Sequence, residues 1–256
     1  MGFSPRSESV KVPLSTVATP TRQNNEPKLV KGIRATRSTI ALKLLMAITG
    51  LIFIGYVLLH MYGNLKVFAG QESFDGYAEH LREFGEPILP YAGLLWIIRV
   101  VLILALVGHA YAAFKLWGRA EKARSQKYVV KKAVGATLSS RMMRWGGVAL
   151  LLFIVFHILH LTTRTITPGS DVESPYTRLV AGFQPEYWYV SVIYLLAMGA
   201  LAMHLRHGVW SAAQTLGLTN TPQSRKRANL AGYTLAVVIA GGFALVPLSV
   251  IVGIVD

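Results

Sequence analysis

The stretch from Trp145 to Leu161 reads WGGVALLLFIVFHILHL, 17 residues whose only ionisable side chains are His157 and His160. As a helix it is about 26 Å long, close to the ~30 Å hydrocarbon layer of a bilayer. A run this apolar has no water to pair its backbone, so it must close its own hydrogen bonds as a helix. Working outward, four more runs have the same character: Ile40–Tyr62, Ile88–Trp117, Tyr187–Ser211 and Leu230–Val255. The expected fold is therefore an all-α membrane protein of five transmembrane helices, the first four forming a cofactor-holding bundle.

Composition agrees. The 256 residues are 53% hydrophobic and only 15% charged, with a mean hydropathy of +0.45; soluble domains carry about 25% charged residues. Absence of cysteine excludes a disulfide framework, a thiolate zinc site and an iron–sulfur cluster held by this chain alone. Five spans leave no length for an additional catalytic domain. Trp and Tyr near the span ends (Tyr62, Trp117, Trp145, Trp188, Trp210) fit interfacial anchoring.

The net charge of +14 is explained by topology rather than by nucleic-acid binding. Residues 1–37 are polar, proline-interrupted and basic, without the apolar core of a secretory signal, and read as a cytoplasmic tail preceding a membrane domain over 38–256. Twenty of the 26 Lys and Arg residues fall in that tail, in the loop after the second span, or around the loop after the fourth; the other two loops hold only Lys66, Arg82, Arg164 and Arg178. Such a bias places the N-terminus inside and the C-terminus outside.

Six of the seven histidines lie in or at the ends of the first four spans, where ionisable groups are costly and face a functional interior. Counted from the inner ends at ~1.5 Å per residue, His109 and His204 both lie ~12 Å up, His157 ~18 Å and His60 ~24 Å. The depths pair His109 with His204 and His60 with His157. Two stacked bis-imidazole sites in a four-helix bundle suit two b haems, because a porphyrin supplies four of six iron ligands. No Asp, Glu or Cys within the spans completes a protein-only shell. His160 and His207 are expected to form interfacial hydrogen bonds, to propionates or quinone. Lys43 and Arg206 can snorkel to the inner face, while Arg99 has no acidic partner within the spans; propionates would supply carboxylates for all three.

Several motifs together resemble one family. Met46-Ala47-Ile48-Thr49-Gly50 leading to His60-Met61-Tyr62-Gly63-Asn64-Leu65-Lys66 looks like the first helix of the cytochrome b558-type membrane anchor of succinate dehydrogenase and fumarate reductase. Similar matches are Leu81-Arg82-Glu83-Phe84-Gly85-Glu86-Pro87-Ile88-Leu89-Pro90, Gly108-His109-Ala110, Phe156-His157-Ile158-Leu159, and His204-Leu205-Arg206-His207-Gly208-Val209-Trp210 through Gln214-Thr215-Leu216-Gly217. The resemblance covers about residues 38–255.

It implies a di-haem, five-helix subunit of respiratory complex II in a bacterial cell membrane, with His109 and His204 on the haem nearer the cytoplasm. His60 and His157 would hold the distal haem. A cytoplasmic flavoprotein subunit would oxidise succinate, and an iron–sulfur subunit would pass electrons through the haems to menaquinone or another quinone. The family's spacing to the glycines matching Gly217 and Gly147 selects His204 over His207 and His157 over His160. Glu83 is the expected acid at the quinone site. Competing readings are an unrelated transmembrane b-type cytochrome such as a ferric reductase, a haem-free anchor or transporter relaying protons through histidines, and an iron–sulfur centre sharing thiolates from a partner.

Overall fold

The structure, a computed structural model, describes residues 38–123, 138–166 and 174–256. The tail over 1–37 and the basic residues Arg124, Lys127, Lys131 and Lys132 lie outside the described residues. Seven α-helices occur among the described residues: α1 Thr39–Leu65, α2 Gln71–Glu83, α3 Gly93–Lys122, α4 Leu138–His157, α5 Pro175–Gly182, α6 Trp188–Thr215 and α7 Pro222–Ile251. Five of them (α1, α3, α4, α6 and α7) are long and apolar enough to cross a membrane.

Local chemistry sets the boundaries. Ser38 caps α1 by accepting from the Ala41 amide at 2.9 Å, satisfying one of the orphan donors of a first turn. Thr221 and Ser224 form a reciprocal capping box on α7, with Pro222 at its first position. Gly217, at φ 74°, ends α6, and Leu218 N–H returns to the Ala213 carbonyl. The second span begins at Gly93 rather than Ile88: Pro87 and Pro90 flank the apolar pair Ile88-Leu89 and hold it in a turn. The fifth begins at Pro222 rather than Leu230, because its first two turns are polar.

α4 does not stop at His157. It passes into one wide turn over Ile158–Thr162, closed by Thr163 N–H on the Ile158 carbonyl at 2.8 Å. Insertions of this π type recur at functional sites. α2 and α5 are short, cover one end of the bundle and are stapled together. Asp75 accepts from the Ser174 hydroxyl at 2.6 Å and from the Tyr176 amide at 2.9 Å.

α3 packs on α1, α4 packs on α6, and α1 packs on α6. α7 packs on both α1 and α6; at Gly232 an added Cβ would lie 2.9 Å from the Arg206 carbonyl oxygen, so these backbones meet directly. α6 and α7 are the most buried spans, and α3 and α4 turn most of their surface outward. The largest buried apolar cluster joins α5, α6 and α7 through residues such as Phe183, Val190, Tyr194 and Val250. Between α3 with α1 and α4 with α6 runs a cleft of about 600 Å³, a volume in the range of cofactor sites. Phe243 and Pro247 of α7 also line it, so the fifth helix contributes alongside the first four.

Candidate functional site

The cleft contains two layers of imidazoles. In the first, His109 of α3 faces His204 of α6 with ring centres 6.1 Å apart and planes at 51°. The rings lie over Gly50 of α1 and Gly147 of α4, where an added Cβ would be 3.6 Å from each ring. In the second, His60 of α1 faces His157 of α4 with ring centres 5.8 Å apart and planes at 81°. Eleven residues of α1 separate Thr49 from His60, about 16 Å of helical rise. Ten residues of α4 separate Gly147 from His157, about 15 Å. The layers thus draw on alternate helices, α3 with α6 and α1 with α4.

Each layer holds one imidazole by its Nδ1. Thr49 Oγ1 donates its only proton to the Leu45 carbonyl at 2.7 Å and lies 3.0 Å from His109 Nδ1. With that proton engaged, Thr49 acts as acceptor, His109 carries its proton on Nδ1, and its Nε2 lone pair is free. His157 Nδ1 lies 3.1 Å from the Tyr194 hydroxyl. His60 stacks on Tyr56, ring centres 5.4 Å apart and 11° from parallel, and meets Phe243 of α7. His204 Nδ1 is buried and has no hydrogen-bond partner among the described residues. A buried polar atom left in that state costs about 1–3 kcal/mol.

The donor set fits a bis-imidazole metal centre. Metal–nitrogen bonds of ~2.0 Å, with each ring centre ~1.1 Å beyond, would put two imidazoles that share one metal up to about 6 Å apart. Both observed separations match that spacing. No three His, Asp or Glu side chains that could hold a metal converge among the described residues. In comparisons with known proteins, the chain matched no family model, no curated protein and no solved structure.

The other expected site residues divide. Lys43 and His207 line the cleft toward the end where α1 begins. Arg206 does not line it; its guanidinium lies over the Tyr233 ring at 4.4 Å. Arg99 is exposed, stacks on Trp96 at 4.8 Å and does not itself line the cleft. Glu83 ends α2, is exposed and does not line the cleft. Its neighbour Glu79 accepts from Arg82 at 3.1 Å and from the Tyr91 hydroxyl at 2.8 Å. Sharing its proton with Glu79 pushes the Tyr91 hydroxyl pKa up.

His160 departs most from expectation. Expected to bond to propionates or quinone, it is 2% exposed, with Nδ1 3.0 Å from the Tyr194 hydroxyl. Tyr194 and Thr49 are the functional candidates that sequence reasoning missed. Tyr194 did carry a signal: it lies six residues inside α6, whereas belt tyrosines sit at span ends.

Proposed function

We propose that this chain is the membrane anchor and electron-transfer subunit of a succinate:quinone oxidoreductase. In this reading His109 with His204 and His60 with His157 each hold one b haem. The observation that carries it is the pair of imidazole couples at metal-bridging separation, one layer above the other in a single apolar cleft. The motif resemblance over residues 38–255 supplies the particular complex, its flavoprotein and iron–sulfur partners, and a quinone such as menaquinone as acceptor. A basic inner face suits docking of an acidic partner, with the N-terminus inside a bacterial cell membrane.

Bound haems supply one-electron transfer across the bilayer. The chain's own residues do the rest. Thr49 fixes the His109 tautomer and ring direction, and Tyr194 touches the same nitrogen of His157. Phe53, Phe153 and Phe243 line the cleft with apolar surface and exclude water beside the rings. Lys43 and His207 offer cationic or hydrogen-bonding partners for cofactor carboxylates at the cleft mouth.

The test is purification of the complex from membranes, followed by a reduced-minus-oxidised spectrum and haem quantitation. Two b haems per chain, with flavoprotein and iron–sulfur subunits co-purifying, are expected. A folded, haem-free preparation would overturn the reading. Haem without those partners would favour an unrelated cytochrome b.

A further inference from the structure

We propose that His160 and Tyr194 lock the tautomer of His157, so that its Nε2 is always free to bind iron. The proposal rests on the di-haem reading above and assigns two positioning residues to the α2–α5 end of the cleft.

The argument begins with one hydroxyl between two imidazoles. Tyr194 Oη lies 3.1 Å from His157 Nδ1 and 3.0 Å from His160 Nδ1. A hydroxyl has a single proton and donates to at most one of the two nitrogens; accepting from both would leave that proton buried without a partner, at a cost of about 1–3 kcal/mol. Two proton orders are possible, and they have opposite consequences. If Tyr194 donates to His157, that ring carries its proton on Nε2 and its ligand position is blocked. If Tyr194 donates to His160, it offers only lone pairs to His157, which then protonates Nδ1 and leaves Nε2 open.

The placement of His160 selects the second order. Its ring is packed against the last turn of α5, where a Cβ added at Gly182 would lie 2.8 Å from Nε2 and 3.0 Å from Cε1. The final carbonyls of a helix lack intrahelical partners and carry partial negative charge. In this order His160 carries its proton on Nε2, the ring nitrogen packed against the last turn of α5. That leaves His160 Nδ1 as an acceptor, which takes the Tyr194 proton. His157 ends α4, His160 lies in the wide turn that follows, and both reach the same hydroxyl.

Outer partners of this kind typically change metal affinity about 10- to 100-fold. The test uses the intact complex and three variants: Tyr194→Phe, His160→Leu and His160→Gln. Tyr194→Phe and His160→Leu should weaken retention of one haem about 10- to 100-fold. They should also raise that haem's midpoint potential, because the ligand loses imidazolate character, while the second haem stays unchanged. His160→Gln keeps an acceptor carbonyl and should restore wild-type behaviour. The lock is overturned if Tyr194→Phe leaves both potentials and haem content unchanged, if both haems shift together, or if Gln behaves as Leu does. A haem-free wild-type complex would instead refute the di-haem reading. In that case ¹⁵N shifts of His157 still decide the lock, which requires a protonated Nδ1 in wild type and its loss in Tyr194→Phe.

Discussion

The two layers of the cleft steady an imidazole by the same device built from different parts. In the His109 layer, a threonine hydroxyl gives its proton to the carbonyl four residues earlier on its own helix. In the His157 layer, a tyrosine hydroxyl faces a second imidazole brought by a wide turn and covered by α5. A backbone carbonyl only accepts, so the first arrangement is fixed once α1 is helical. An imidazole either donates or accepts, so the second depends on α4, α5 and α6 meeting correctly. Local structure therefore directs the Thr49 proton, while its contact with His109 needs α1 packed on α3; the His157 layer depends on tertiary packing throughout.

The largest effects come from removing a ligand imidazole. His109→Ala or His204→Ala should eliminate one haem, and His60→Ala or His157→Ala the other, each leaving the remaining spectrum intact. Loss of both haems from any single change would break the two-layer comparison. Thr49→Val should come next: it deletes the acceptor of His109 Nδ1–H and should weaken that haem's retention about 10- to 100-fold, with Thr49→Ser restoring it. A spectrum that changes in the His60–His157 layer instead would show the layers are not independent.

Asp75→Ala acts farther away. It removes the acceptor of both the Ser174 hydroxyl and the Tyr176 amide, hydrogen bonds to a charged group that contribute about 1.5–3 kcal/mol each. Thermal unfolding should occur at lower temperature. Because α5 carries Gly182 against His160, the spectrum of the His157 layer should broaden while that of the His109 layer stays sharp.

The same division explains what the sequence made legible. Five spans were readable because bilayer thickness imposes a long apolar run on each one. Pairing by depth was readable because helical rise is constant, and the structure brings those same imidazoles together. α2 and α5 were not readable: they are short amphipathic pieces whose partners lie about a hundred residues away, as Asp75 and Ser174 show. The burial of His160 was hidden for a related reason. His160 is covered by Gly182 and Phe183 at the end of α5, a segment distant in sequence from α4. Thr49 was visible as a polar residue in an apolar run, but its partner is 60 residues distant.

The smallest effects come from two glycines, and they compare the layers most finely. At Gly182 an added Cβ would fall 2.8 Å from His160 Nε2, closer than side chains pack, so the ring must move. Gly182→Ala should therefore shift the haem of the His157 layer in the direction of His160→Leu, though less. At Gly50 the added Cβ would lie 3.6 Å from the His109 ring, an ordinary contact. Alanine there also relieves the entropic cost of glycine in a helix, about 0.5–1 kcal/mol. Gly50→Ala should raise the unfolding temperature slightly and leave the His109 layer's midpoint potential in place. The reverse pattern, a silent Gly182→Ala and a disruptive Gly50→Ala, would mean that the His157 layer is the more tolerant one and that the His109 ring has less room beside α1 than its 3.6 Å spacing suggests.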